Sequence, residues 1–373
     1  MKHPKVAIVA DWIIGGGAER VVQQLHTMYP DAPIYASYCT ADWRKRLDNK
    51  VVTGYLQNWP FSSLRKFAGL ISPFRNSWYK NIDFSDFDIV ISATGNGDAK
   101  HIRPPKGVTH IAYCFTPVHY YWRHYQIYLN DPGFGVLNPL ARLGLRLFVK
   151  PLRRKDYAAA QRVDHFIAIS DHIKNDIQTY YNRDSVVISP PVDTERFANV
   201  QTSERSGYVT MGRQVPHKHT SVVVDACTKL NVPLTVIGNG PDHDNLVQRA
   251  GSSVTFLTNV SDSEMPEALA RHEAFLFASI EDFGIAPVEA MAAGTPVIAI
   301  AKGGALDYVN PGKSGLLFQD QTVASLTKAI QQFQSQSFNP AAVRKQAEQF
   351  SSSRFAKAII SFVSSVARDS KEN

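Results

Sequence analysis

Residues 274–300, AFLFASIEDFGIAPVEAMAAGTPVIAI, restrict the fold of this chain more than any other stretch. AFLFA at the start and PVIAI at the end are unbroken apolar runs of strand length, the pattern of strands buried on both faces of a parallel sheet. The small residues between them suit a helix packed on that sheet. Two acids lie in the connection, Glu281 and Glu289. On one continuous helix an eight-residue separation would set them about 80° apart, so Glu281 is placed on the loop after the strand. Glu289 then falls in the first helical turn, two residues after Pro287, whose missing N–H is not needed there. The amides of Gly284, Ile285 and Ala286 at the positive end of the helix suit an anion, and Glu289 suits a ribose diol. The plainer account of both acids is a solvated helix start.

The same alternation runs through the chain twice. VAIVA at 6–10 reads as a strand, Asp11 to Gly17 as a loop ending in three glycines, and AERVVQQLHTMY as a helix. That order sets Gly16 and Gly17 at a helix N-terminus, where a diphosphate or sugar can approach the backbone. A dinucleotide fingerprint does not fit: Arg20 stands where the third glycine belongs, and His243 stands there after Gly238 and Gly240. PIYASY, VVTGYL, DIVISAT, VTHIAYCF and RVDHFIAIS read as further strands, with an aromatic and basic segment between Trp59 and Lys80, and 138–160 reads as a basic helix. TPVHYYWRHYQIYLNDPGFG at 116–135 reads as a cleft wall able to stack on sugar rings. ISPPVDTERF at 188–197 and the polar QTSERS behind it read as the passage between domains. From Gly207, YVTMG, PLTVIG and SVTFL alternate with helices up to residue 274, and after KSGLLF the chain is wholly helical. In 373 residues this predicts an α/β protein of two doubly wound parallel sheets, with ligands beyond the carboxyl ends of the strands.

EDFGIAPVEAMAAGTPVIA resembles the E-x7-E signature of family 4 glycosyltransferases, retaining enzymes of the GT-B fold that take a sugar from a nucleoside diphosphate sugar. GGGAER resembles the family's N-terminal glycine loop, PPVD-x-x-x-F its interdomain connection, and MGRQVPHK, with Arg213 and Lys218, the G-R-x4-K pair that clamps the diphosphate. The resemblance implies two Rossmann-like domains facing a cleft. Residues 1–190 would bind the acceptor and 191–351 the donor, and a last helix at about 352–373 would cross back onto the first domain. It implies Glu281 near the sugar hydroxyls, Glu289 on the ribose, and Gly16, Gly17, Phe283, Gly284, Ile285 and Ala286 along the donor, with Gly303 and Gly304 in a neighbouring loop. It also implies a front-face route in which Arg213 and Lys218 do the work of a metal. No D-x-D motif is present, and His217 and His219 lack a carboxylate partner, so no metal or other cofactor is expected. One position departs from the family: Phe115 stands where many relatives carry a histidine beside the reacting carbon. His119, or else His110, is the residue expected to stand in for it.

Charge narrows the partners. Residues 1–190 carry 24 Lys and Arg against 15 Asp and Glu, whereas residues 191–373 carry 16 against 18. Neither a glycine-aromatic RNA-binding signature nor a finger spacing occurs, so nucleic acid is not an expected partner. Arg142, Arg146, Lys150 and Arg153 or Arg154 recur at helical spacing beside Leu143, Leu147 and Leu152, a stripe suited to an anionic membrane surface, with a bend or break expected at Pro151. No apolar run of 18 residues exists and Asp11 precedes any signal-like core, so the expected location is cytoplasmic, peripheral on the inner membrane face. Cys39, Cys114 and Cys227 lie far apart and read as small buried hydrophobes. The function expected is transfer of a hexose, mannose from GDP-mannose before UDP-glucose, onto a glycolipid or polysaccharide, in the manner of bacterial mannosyltransferases. A non-catalytic nucleotide-sugar-binding subunit and a nucleotide-sugar epimerase are the alternatives.

Overall fold

The computed structural model describes residues 4–63, 68–130, 132, 135–198, 200 and 204–372. Parts of the Trp59 to Lys80 segment, of the 116–135 stretch and of the QTSERS linker lie outside the described residues. The chain divides into two units, residues 1–189 with 356–373, and residues 190–355.

In the first unit seven strands, β1 Val6–Ala10, β2 Ile34–Ala36, β3 Val51–Val52, β4 Ile89–Thr94, β5 Thr109–Cys114, β6 His165–Ala168 and β7 Ser185–Val187, pair in the order β3-β2-β1-β4-β5-β6-β7. Every pairing is parallel. β1, β4 and β5 are buried along their whole length; β1 is an unbroken apolar run, while β4 and β5 also bury Ser92, Thr94, Thr109 and His110. VVTGYL is shorter as a strand than expected. Only Val51–Val52 pairs; Trp78 then fills the space where a Cβ on Gly54 would go, and the chain turns into a short 3-10 helix at Tyr55–Gln57. β7 has no counterpart among the expected strands. Helix Asp171–Tyr181 starts at Ser170, whose Oγ accepts the Ile173 amide hydrogen at 3.1 Å.

Helix Asn138–Ala160 runs through Pro151 without a break. Pro151 is exposed, so water can satisfy the carbonyl that its missing N–H leaves unpaired. Its inner side is held by a buried network: Asp156 Oδ1 lies 2.6 Å from Lys100 Nζ, and Asp156 Oδ2 accepts hydrogen bonds from Trp122 Nε1 and the Tyr181 hydroxyl, each at 2.8 Å. Two arginines of the expected basic stripe are committed elsewhere. Arg142 donates to the Asn130 carbonyl, while Arg153 donates to the Tyr121 carbonyl at 2.6 Å and lies over the rings of Trp122 and Tyr125. The three cysteines are buried, and none forms a disulfide among the described residues.

The second unit holds β8 Tyr208–Met211, β9 Leu234–Ile237, β10 Val254–Leu257, β11 Ala274–Phe277, β12 Val297–Ile300 and β13 Gly315–Phe318. They pair in the order β10-β9-β8-β11-β12-β13, again all parallel. β13 lies in KSGLLF, which carries the same apolar signal in four residues. Its register presses Gly315 so closely on the Val297 carbonyl, 1.8 Å from an added Cβ, that only glycine fits. One buried cluster joins the sheet to the helices Thr220–Leu230 and Val323–Gln334 through Val223, Val224, Leu276, Ile298, Leu326 and Ile330. The chain after β13 is helical, at Val323–Gln334, Pro340–Ala347 and Ser352–Glu372.

Candidate functional site

Strand order reverses between β8 and β11, and in open α/β sheets the loops at such a reversal are where ligands bind. Arg213 and Lys218 follow β8, and Glu281 follows β11 on a loop, as the spacing argument requires. The two loops meet: Lys218 Nζ lies 2.9 Å from Glu281 Oε1, with the side chains 31% and 27% exposed. The contact is an ion pair by distance but not an aligned hydrogen bond, and Oε1 is left buried with no hydrogen-bond partner among the described residues. Arg213 is exposed. His217 beside it is pushed below the usual histidine range, first by burial and then by the charge of Lys218, with Glu281 opposing and Arg213 adding to the effect. His217 therefore shares one field with the three charges of Lys218, Glu281 and Arg213.

Packing fixes the Glu281 loop. The Gly304 amide donates to the Glu281 carbonyl at 2.9 Å. A Cβ on Gly303 would lie 2.4 Å from that same oxygen, and one on Gly304 would lie 2.3 Å from the Phe283 carbonyl. Gly284 begins helix Ile285–Ala292 at φ 96°, a conformation that suits glycine. Ile285 and Ala286 are half-buried, and their amides have no partner within the helix. Two expectations need correction here. Glu289 is the fifth helical residue and lies in the second turn, because the helix starts at Ile285, just after Gly284 and two residues ahead of Pro287. Its carboxylate is buried, with Oε1 3.5 Å from Arg196. The Phe283 ring is also buried, packed on Tyr308 and Phe350 with centroids 5.8 and 5.4 Å away, so only its backbone can meet a ligand.

Sequence reasoning missed Tyr308. Its side chain is fully buried, and its hydroxyl has no hydrogen-bond partner among the described residues. That hydroxyl faces the Gly284 turn, 2.9 Å from where a Cβ on Gly284 would sit, and Glu281 adds to the burial that raises its pKa. An aromatic two residues beyond the Ala305–Leu306 pair gives no signal in the sequence that it turns back onto this loop.

In the first unit, Gly16 and Gly17 open helix Gly17–Met28 and are exposed. The amides before them are already taken: Glu19 Oε1 accepts those of Ile14 and Gly15, each at 3.0 Å, from a side chain 5% exposed. A protein carboxylate thus holds part of the loop that was expected to face a ligand. Glu19→Ala is expected to destabilise the first unit by about 1.5 to 3 kcal/mol, the scale of hydrogen bonds to a charged group, read as a lower urea midpoint. An unchanged midpoint would leave Glu19 without a structural role. Asp11 ties β1 to β4, accepting the amides of Gly95, Asn96 and Ala99 at 2.8, 2.6 and 2.6 Å.

Phe115 follows β5, packed on Tyr113 and 3.4 Å from a Cβ built on Gly95. His119 is half-buried with Nε2 3.1 Å from the Tyr128 hydroxyl, among the rings of Tyr120, His124 and Tyr128. His110 cannot stand in for the family histidine. It sits inside β5, 1% exposed and bonded to Ser92 Oγ at 2.8 Å. The aromatics of 116–130 are largely spent on one another and on Arg153, and Trp122 stacks on Tyr180 at 5.3 Å.

Two family descriptions match in tandem: "Glycosyltransferase Family 4" over residues 15–196 and "Glycosyl transferases group 1" over residues 191–350. The chain belongs to the family 4 glycosyltransferases. This family 4 chain is 29% identical over 172 residues to a GDP-mannose-dependent alpha-(1-6)-phosphatidylinositol monomannoside mannosyltransferase of Mycobacterium tuberculosis, covering 38% of this chain and 45% of that one. It is 30% identical over 172 residues to the O-antigen chain mannosyltransferase RfbU of Salmonella typhimurium, covering 41% and 48%. The chain spans about half the length of the curated relatives it matches. Among solved structures it is similar to Anabaena HepE in complex with UDP, with TM-score 0.69 over 97% of this chain and 100% of that one at 19% identity, a likeness of fold. The two parallel-sheet units are those of a GT-B protein. Among the described residues no group of three or more His, Cys, Asp or Glu side chains is placed to hold a metal ion, and no helix is long and apolar enough to cross a membrane.

Proposed function

We propose that this chain is a retaining glycosyltransferase that moves mannose from GDP-mannose onto a glycolipid or polysaccharide acceptor without a metal. The observation that carries the reading is the Lys218–Glu281 pair at the strand-order reversal, with a buried carboxylate oxygen that lacks a hydrogen-bond donor. A sugar hydroxyl entering there supplies that donor. The diphosphate, with more charge than one carboxylate, draws Lys218 and the exposed Arg213 onto itself, and the amides of Ile285 and Ala286 face the same anion. When the anomeric bond breaks, charge builds on the leaving phosphate, and these cations stabilise it in place of a metal. In a front-face reaction that phosphate oxygen takes the acceptor's proton as the new bond forms on the side the phosphate leaves. The mannose assignment rests on the names of the relatives, both mannosyltransferases and one naming GDP-mannose as its donor.

Incubation with a panel of nucleotide sugars, with and without phosphatidylinositol-type and polyprenyl-linked acceptors, tests this reading. GDP release from GDP-mannose, accelerated by acceptor, is the expected result. Phe115 at the histidine position favours one other reading, a subunit that binds the donor without turning it over. Tight donor binding with no diphosphate released under any condition would select it.

Glu289→Gln is expected to weaken donor binding by about 1.5 to 3 kcal/mol, since a charge-assisted acceptor on the ribose is lost while shape is kept. Titration calorimetry with the donor measures it. An affinity equal to wild type removes Glu289 from the ribose and leaves it as the partner of Arg196.

A further inference from the structure

Helix Asn138–Ala160 turns its apolar side outward. At 100° per residue Val149, Asp156, Ala159 and Ala160 fall on one side, and these are its buried residues. The opposite side carries Leu140, Leu143 and Leu147, which are 69%, 53% and 63% exposed; Phe148, 60% exposed, lies about 100° round the helix from Leu147. Leu137 just before the helix and Ile127 on the neighbouring helix Tyr125–Asn130 are exposed as well. Single exposed apolar residues are ordinary, whereas a run of them along one helix face marks a surface that meets something.

The charges around this face say what it meets. Arg146, Lys150, Arg154 and Lys155 are exposed on the same helix, flanking the leucines and following them toward its C-terminal half. No Asp or Glu occurs from residue 138 to 155, and Asp156 is 2% exposed and paired with Lys100. A second copy of the chain would bring the same cations against these, a repulsive contact. A surface that is both apolar and anionic satisfies both halves of the pattern.

We propose that this face docks on an anionic bilayer, with Leu140, Leu143 and Leu147 entering the boundary between headgroups and acyl chains and the four cations resting on lipid phosphates. The docking therefore has an apolar part that salt does not screen, in contrast to a purely electrostatic stripe. It goes beyond the proposed reaction, and its readout is lipid binding, which does not involve Lys218 or Glu281.

Flotation of the full chain with phosphatidylcholine vesicles, with and without phosphatidylglycerol, at low and high salt, tests it. Binding to the anionic vesicles is expected, weakened but not abolished by salt. The double variant Leu143→Gln with Leu147→Gln, at exposed positions where folding is preserved and can be checked by its thermal melt, is expected to bind about tenfold more weakly or worse at both salts. Lys150→Glu with Arg154→Glu is expected to lose the preference for phosphatidylglycerol. No binding to anionic vesicles, or full binding by the leucine variant, overturns the proposal. So does self-association in sedimentation velocity that the leucine variant abolishes while vesicle binding is absent, since the face would then meet a second copy.

Discussion

Lys218→Ala is expected to lower turnover of the proposed reaction about 10²- to 10³-fold, the cost of removing one preorganised charge from the site where negative charge develops. Lys218 pairs with Glu281 in the unliganded protein, so the ammonium is already held near the donor position by a carboxylate. The loss should fall mainly on kcat, because the leaving phosphate gains a further negative charge as the bond breaks, beyond the charge that the bound donor already presents to Lys218. Lys218→Arg, which keeps the charge but changes its geometry, should recover part of the rate. Arg213→Ala should show a smaller loss, as that side chain is exposed and its charge is already solvated. EDTA should leave the wild-type rate unchanged. Wild-type turnover in Lys218→Ala, or full loss of activity in EDTA, would overturn the assignment.

Acidification from pH 7.5 to 4.5 is expected to cost the fold about 5 kcal/mol in all, and neutral buried histidines are the cause. Burial holds His101 and His110 down at about 3 and His272 at about 4, and none of the three is more than 7% exposed. In the unfolded chain each takes up a proton near pH 6.5 that the folded state refuses. Their stability is therefore present above about 6.5 and is lost as pH falls toward the folded values, roughly 2 to 3 kcal/mol each at pH 4.5. Asp98 works the other way. Burial pushes it up to about 7 despite Arg75 Nε at 2.8 Å, so protonation on the way down returns about 3 kcal/mol to the first unit. Urea unfolding across this range measures the sum. His110→Gln, which keeps a polar group facing Ser92, should flatten the slope of the first unit. A stability that stays level from pH 7.5 to 4.5 would sink this account.

What could be read from sequence follows the range of the forces. Continuous apolar runs such as VAIVA and PVIAI specify strands buried on both faces, and alternation with helices specifies parallel sheets, so the α/β architecture was legible. The loop position of Glu281 was legible too, from helix geometry alone. Contacts made by residues distant in sequence were not. Nothing in GGALDY says that Tyr308 folds back on Gly284, and nothing in GGGAER says that Glu19 caps the amides ahead of it. The basic stripe was read correctly as a pattern, but long side chains choose their partners in three dimensions: Arg142 and Arg153 went to carbonyls, and the leucines between them went to solvent. The place of Glu289 in the second turn depended on a left-handed glycine, which a residue letter does not announce.

The Gly303–Gly304 step has a consequence for anyone seeking to re-engineer donor choice. With 2.4 and 2.3 Å between their missing Cβ atoms and the carbonyls of Glu281 and Phe283, these two positions tolerate no diversification that leaves the acidic loop where it is. A randomised library spanning 303–306 would spend its first two codons on proteins with a displaced carboxylate. Leu306, 56% exposed one turn further on, carries no such restriction, so variation there can alter the rim while the carboxylate stays in register.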